Sequence, residues 1–142
     1  MQLMVGGAYS GKRSIVRQRF STVTLHSAYD QAIFTNWKYK IKPNSVLVFD
    51  GWEKWIKEKL ATSANLDEVR LFFIDQIDQI CQTEQVDGTT IILIMLEMGR
   101  GIVPLDEIDR NVRDIAGWLL QYATKKAETV DYCWHGLSKT IK

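Results

Sequence analysis

The sequence predicts an α/β fold with a mainly parallel sheet, and three observations carry that prediction. Short apolar runs that end in an acid, Val46-Leu47-Val48-Phe49-Asp50 and Thr89-Thr90-Ile91-Ile92-Leu93-Ile94-Met95-Leu96-Glu97, read as strands buried on both faces. Between and after them lie segments with apolar residues at helical spacing. The first of these strand-and-helix units is joined by Gly6-Gly7-Ala8-Tyr9-Ser10-Gly11-Lys12, which follows the apolar start Leu3-Met4-Val5.

That joint reads G-x-x-x-x-G-K, the pattern of a phosphate-binding loop. Glycines let the backbone curl so that successive N–H groups point at an anion, and Lys12 adds a mobile positive charge. A helix opening near Gly11 aims its positive dipole end at the same place. The residue after the lysine is ordinarily Ser or Thr, whose hydroxyl meets Mg²⁺, but here it is Arg13. Ser14 arrives one position late, and one step along a helix turns a side chain by about 100°. The loop is thus expected to bind phosphate with a compromised metal site.

In chain order, Thr22-Val23-Thr24-Leu25 reads as a second strand, ended by His26-Ser27. Trp37 to Lys42 alternates apolar and basic residues. The favoured reading is a half-buried edge strand guarded by lysines; the alternative is a surface for stacking single-stranded RNA. Asp50 closes the third strand, where an acid can hold the Mg²⁺ shell; its competing reading is a cap for the helix beginning at Gly51-Trp52.

Trp52, Trp55, Ile56 and Leu60 then fall at helical spacing, and Ala61 to Ala64 breaks the pattern. Asn65-Leu66-Asp67-Glu68 looks like a capping box for a second helix, with Leu66, Val69, Phe73, Ile77 and Ile80 on one face. After the Ile91 to Leu96 strand comes the glycine-flanked loop Glu97 to Pro104, at the strand end where open α/β sheets place ligands. A long helix is expected from about Leu105 to Lys126. Val130 to Trp134, then Gly136, then Lys139 to Lys142 read as a terminal hairpin.

The chain has 142 residues, 46% hydrophobic and 25% charged, which suits one domain over residues 1–142 with a full core. A formal net charge of +1 argues against nucleic acid or anionic membrane as a partner. Cys81 and Cys133 form no metal or redox pair, and no apolar run is long enough to span a bilayer. A cytoplasmic protein is the expectation.

Two segments together resemble the adenosylcobinamide kinase/adenosylcobinamide-phosphate guanylyltransferase family of cobalamin biosynthesis. Gly6 to Lys12 is similar to its G-G-A-x-S-G-K. Glu97-Met98-Gly99-Arg100-Gly101-Ile102-Val103-Pro104, with Arg110, Arg113-Asp114, Ala116-Gly117 and Gln121, is similar to E-V-G-x-G-I-V-P, R-x-x-R-D-x-A-G and a later Gln.

The resemblance implies a P-loop NTPase-like three-layer sandwich, often a homotrimer, that uses ATP or GTP with Mg²⁺. It implies a kinase step on the cobinamide side-arm hydroxyl, then GMP transfer through a guanylylated histidine. By position, Lys12 and Asp50 carry catalysis and Asp50 the metal. Gly6, Gly7, Ala8, Tyr9, Ser10, Gly11, Lys12, Arg13, Ser14, Leu25, His26 and Ser27 hold the nucleotide.

Departures limit the expectation. Family members are longer, and the missing part falls between Ser27 and Asp50, where a His-His segment is due; the only histidines here are His26 and His135. Leu96 and Leu120 stand where the family commonly has Asn. Guanylyltransferase activity is therefore expected to be lost, leaving a kinase at most or, alternatively, an inactive nucleotide- or corrinoid-binding regulatory or assembly protein.

Overall fold

Parallel pairing of β1 (Gln2–Gly6) with two neighbours at once sets the architecture. The computed structural model describes residues 1–63 and 65–142; Ala64, the last residue of the expected break, lies outside the described residues. Six strands run in the order β2-β3-β4-β1-β5-β6, with β2 (Thr24–Ser27), β3 (Val46–Asp50), β4 (Thr90–Leu96), β5 (Thr129–Trp134) and β6 (Leu137–Thr140). All pair in parallel except β5 with β6. The non-consecutive neighbours β4-β1-β5 make crossover connections obligatory, and helices supply them.

Side chains alternate across the sheet, and the two faces collect different layers. Leu3, Val5, Leu47, Phe49, Ile91, Leu93 and Met95 join a core built with α2 (Trp52–Thr62), α3 (Leu66–Asp87) and α4 (Glu107–Lys126). Met4, Val48, Ile92 and Ile94 face the other way, against Ile15 and Val16 of α1 (Lys12–Arg19). The result is the expected α/β three-layer sandwich, with a mainly parallel sheet and a C-terminal antiparallel hairpin.

Local chemistry explains the ends of the helices. Asn65 caps α3 by accepting from the Asp67 and Glu68 amides at 3.0 and 3.2 Å. The reciprocal half of a capping box is absent, because Glu68 accepts from the Ser63 hydroxyl instead. Asp106 caps α4, so that helix begins two residues later than expected. His135 and Gly136 turn the hairpin with φ of 50° and 76°, the signs that a tight two-residue hairpin turn requires.

Two expectations are corrected. Residues 37–42 do not form an edge strand: Phe34–Lys40 is a 3-10 helix. Phe34 and Trp37, one 3-10 turn apart, drop together into the aromatic core, and burying two large rings outweighs a local period-two pattern. Trp37 is 1% exposed and its Nε1 donates to Gln76, so it offers no stacking platform. The second strand also lies two residues later than expected, since pairing to β3 draws His26 and Ser27 into the sheet.

An ion pair between Arg19 and Asp131 ties α1 to β5, with Asp131 almost fully buried. Burial works against the charged carboxylate, but bonds from Arg19 and the Thr140 hydroxyl outweigh it and hold Asp131 below its ordinary value of 3.8. The unfolded chain therefore takes up this proton at a higher pH than the folded one, and the pair's contribution is complete above 3.8 and lost as pH falls through the lower folded value. Urea melts of Asp131→Asn are expected to show a loss of about 1–2 kcal/mol at pH 7 and a shallower acid limb than the parent.

Candidate functional site

Strand β1 ends in the middle of the sheet, and the loop that follows lies at the carboxyl edge of the parallel strands. Gly6 is opposite Cys133 in the register, and a Cβ on it would lie 2.3 Å from the Cys133 carbonyl oxygen. Gly11 has φ of 91°, and its missing Cβ leaves room for the Gly136 Cα. The hairpin turn is bonded to the loop as well, from the Gly136 amide to the Ser10 carbonyl at 3.0 Å. The loop is thus braced by a turn at the far end of the chain.

A cavity of about 670 Å³ opens over this loop, lined by residues 8–14 and by Arg17, Tyr29, Asp50, Ile94 and Leu96. Lys12 is 9% exposed and its Nζ donates to the carbonyls of Gly6 and Gly7 at 3.0 and 2.6 Å and to the Ser10 hydroxyl at 3.3 Å. Desolvation lowers its pKa, against the opposing pull of Asp50. The lysine is parked on the loop's own oxygens.

Sheet register brings Ser27 level with Asp50, and Asp50 level with Ile94. Ile94 packs toward α1, so Ser27 and Asp50 open on the same face. Arg13, on the first turn of α1, reaches both: its Nε pairs with Asp50 and its Nη2 donates to Ser27 at 2.7 Å. The Arg13 guanidinium also lies 5.4 Å from the centre of the Tyr29 ring. Burial, then the bond to Glu53, raises the Tyr29 phenol.

This arrangement does not fit a divalent cation. Asp50, expected to hold Mg²⁺, holds a guanidinium, and the hydroxyl expected after Lys12 is that same arginine. Among the described residues, no group of three or more His, Cys, Asp or Glu side chains is placed to hold a metal ion. Asp50 does not cap the following helix either; Gly51 occupies that position with no side-chain bond.

The other expected contacts divide. Ala8 to Ser14 and Asp50 come together around the cavity, Gly6 and Gly7 lie outside its lining but accept from Lys12, and Ser27 joins through Arg13. His26 does not: it is level with Phe49, faces the opposite side of the sheet, is fully buried and stacks on Trp55 with ring centres 5.3 Å apart. Its Nε2 donates to the Phe34 carbonyl at 2.9 Å, and burial lowers its pKa. Leu25 packs with the apolar cluster under α1. Glu97 accepts from the Tyr132 hydroxyl at 2.7 Å and pairs with Arg100 at 3.0 Å, outside the cavity lining.

Two polar residues of the site, Arg17 and Tyr29, were absent from the sequence expectation. Arg17 had a signal, since it lies four positions after Arg13 and so on the same helix face. Tyr29 had none, because it enters through the 3-10 turn Ala28–Asp30 after β2.

The chain matches the model of a family described as cobinamide kinase / cobinamide phosphate guanyltransferase over residues 16–141. That match starts after the glycine loop, so loop and family match are separate observations. A curated relative, the bifunctional adenosylcobalamin biosynthesis protein CobP of Pseudomonas aeruginosa, is 42% identical over 52 residues. Those residues are 37% of this chain and span 30% of the relative's length. Among the described residues, no helix is long and apolar enough to cross a membrane.

The glycines supply a test of the loop's geometry. Gly11→Ala places a methyl against Gly136 in a left-handed backbone and is expected to cost about 1–3 kcal/mol in thermal unfolding. Gly7→Ala meets nothing within 4 Å and is expected to unfold with the parent.

Proposed function

Because the chain belongs to the cobinamide kinase / cobinamide phosphate guanyltransferase family, we propose that it is a nucleotide-binding protein of cobalamin biosynthesis. Its single domain takes the phosphates of ATP or GTP in the loop Gly6 to Lys12. Its chemistry is at most phosphoryl transfer to the side-arm hydroxyl of adenosylcobinamide. The observation that carries this reading is the cavity in which the loop, Lys12 and Asp50 converge.

Phosphoryl transfer asks mainly for positioning and for neutralising charge. Loop N–H groups and the N-terminus of α1 would receive the phosphates. Lys12 would leave its three loop oxygens for phosphate oxygens, gaining charge-assisted bonds in a partly desolvated place. Asp50 would act as a positioning residue through Arg13. The residues lining the cavity offer a divalent ion no vacant carboxylate, since Asp50 is engaged by Arg13.

Guanylyl transfer needs a histidine that reaches the nucleotide. His26 lies sealed among aromatic rings, and His135 sits in the exposed hairpin turn outside the cavity lining. Both placements support loss of the second reaction. The alternative reading, a binder without turnover, is favoured by one observation: Asp50 is the sole carboxylate lining the cavity among the described residues, and Arg13 engages it.

Labelled ATP and GTP, incubated with adenosylcobinamide, separate the two. Lys12-dependent phosphorylated product, with no GMP retained on the protein, is the expected result; nucleotide binding without product favours the binder. Product formed equally by Lys12→Ala would sink the loop's assigned role.

A homotrimer is part of the proposal. Ile102 and Leu105, 98% and 97% exposed between β4 and α4, with Ile108, 51% exposed on the first turn of α4, support a surface used between subunits. Sedimentation velocity is expected to return a trimer, and Leu105→Glu to shift it toward monomer.

A further inference from the structure

We infer that the Arg13 guanidinium takes the place of the divalent cation, so that the loop binds nucleotide phosphates without Mg²⁺. This rests on the phosphate-loop reading above and adds to it the species that neutralises the phosphates.

The position is the first argument. Arg13 stands where the metal-binding hydroxyl is due, and its charge is held by Asp50, the acid that was expected to hold the metal. A cation is already present at the place where a second one would have to enter. Mg²⁺ asks for hard oxygen ligands around it and keeps several waters, and the one acid available is spent.

Geometry is the second. The guanidinium uses Nε on Asp50 and Nη2 on Ser27, which fixes its plane. Nη1, on the opposite edge, makes no hydrogen bond among the described residues. Arg13 lines the cavity with its side chain 36% exposed. A planar donor held from behind by a carboxylate and a hydroxyl is a preorganised phosphate contact.

Charge is the third. Lys12, Arg13 and Arg17 line the cavity against the single carboxylate of Asp50. Their sum is the positive charge that a lysine, an acid and a divalent ion would present together. The ligand class that fits is a nucleoside di- or triphosphate in its metal-free form.

Calorimetric titration of the full chain with ATP and with GTP, once in EDTA and once in excess Mg²⁺, tests this. The expected result is dissociation constants that agree within about threefold between the two buffers. Arg13→Ser is expected to bind about tenfold more weakly than the parent in EDTA and to recover in Mg²⁺, having regained a hydroxyl and released Asp50. Parent binding that tightens by about tenfold or more with Mg²⁺ overturns the inference but leaves the phosphate loop standing. Absence of binding in both buffers overturns both. Should Arg13→Ser fail to fold, the comparison of buffers on the parent protein decides alone.

Discussion

Backbone packs against backbone at two glycines, and the candidate site depends on that closeness. At Gly6 the first strand passes so near the Cys133 carbonyl that no side chain fits, and at Gly11 the start of α1 lies against Gly136. The loop is held between the central strand and the hairpin turn instead of projecting freely. A glycine-rich loop keeps one backbone conformation only where something restrains it. Here the Ser10 carbonyl, bonded to the Gly136 amide, and the Lys12 ammonium, bonded inside the loop, supply that restraint.

Period-two alternation then sorts β2, β3 and β4 into two environments. Phe49, His26 and Leu93 turn toward α2, α3 and α4, where Trp37, Trp52, Trp55, Phe34 and Phe73 form an interlocked aromatic cluster. Ser27, Asp50 and Ile94, one residue further along, open toward α1 and the cavity. The apolar face supplies most of the burial and so most of the stability. The polar ends, being short and mounted on rigid strands, hold Arg13 in one orientation. His26 falls on the apolar side of this division, and that placement removes it from the chemistry.

Electrostatics at the site follow from the same construction. Lys12 is partly desolvated, which weakens its hold on a proton, and Asp50 restores part of that hold. The Arg13 guanidinium is held from behind by Asp50 and Ser27, while the Lys12 ammonium is bonded only to the loop's own oxygens.

The α/β class, the buried strands β3 and β4, the hairpin and the glycine-rich loop at a strand end were legible in the sequence because each is written in neighbouring residues. Glycine spacing, β-branched runs and turn residues act over a few positions, and the backbone obeys them locally. The partner of Arg13 was not legible, nor was the inward turn of His26, the position of Tyr29, or the 3-10 path of Phe34–Lys40. Arg13 meets Asp50 across 37 residues of chain, and they meet only because β2, β3 and β4 pair in one register. A shift of one residue in that register would exchange Asp50 for Phe49 at the cavity. Local sequence determined most of the strands and helices and the glycine spacing of the first loop; tertiary pairing decided which charges face one another, because strand register depends on the burial of whole faces.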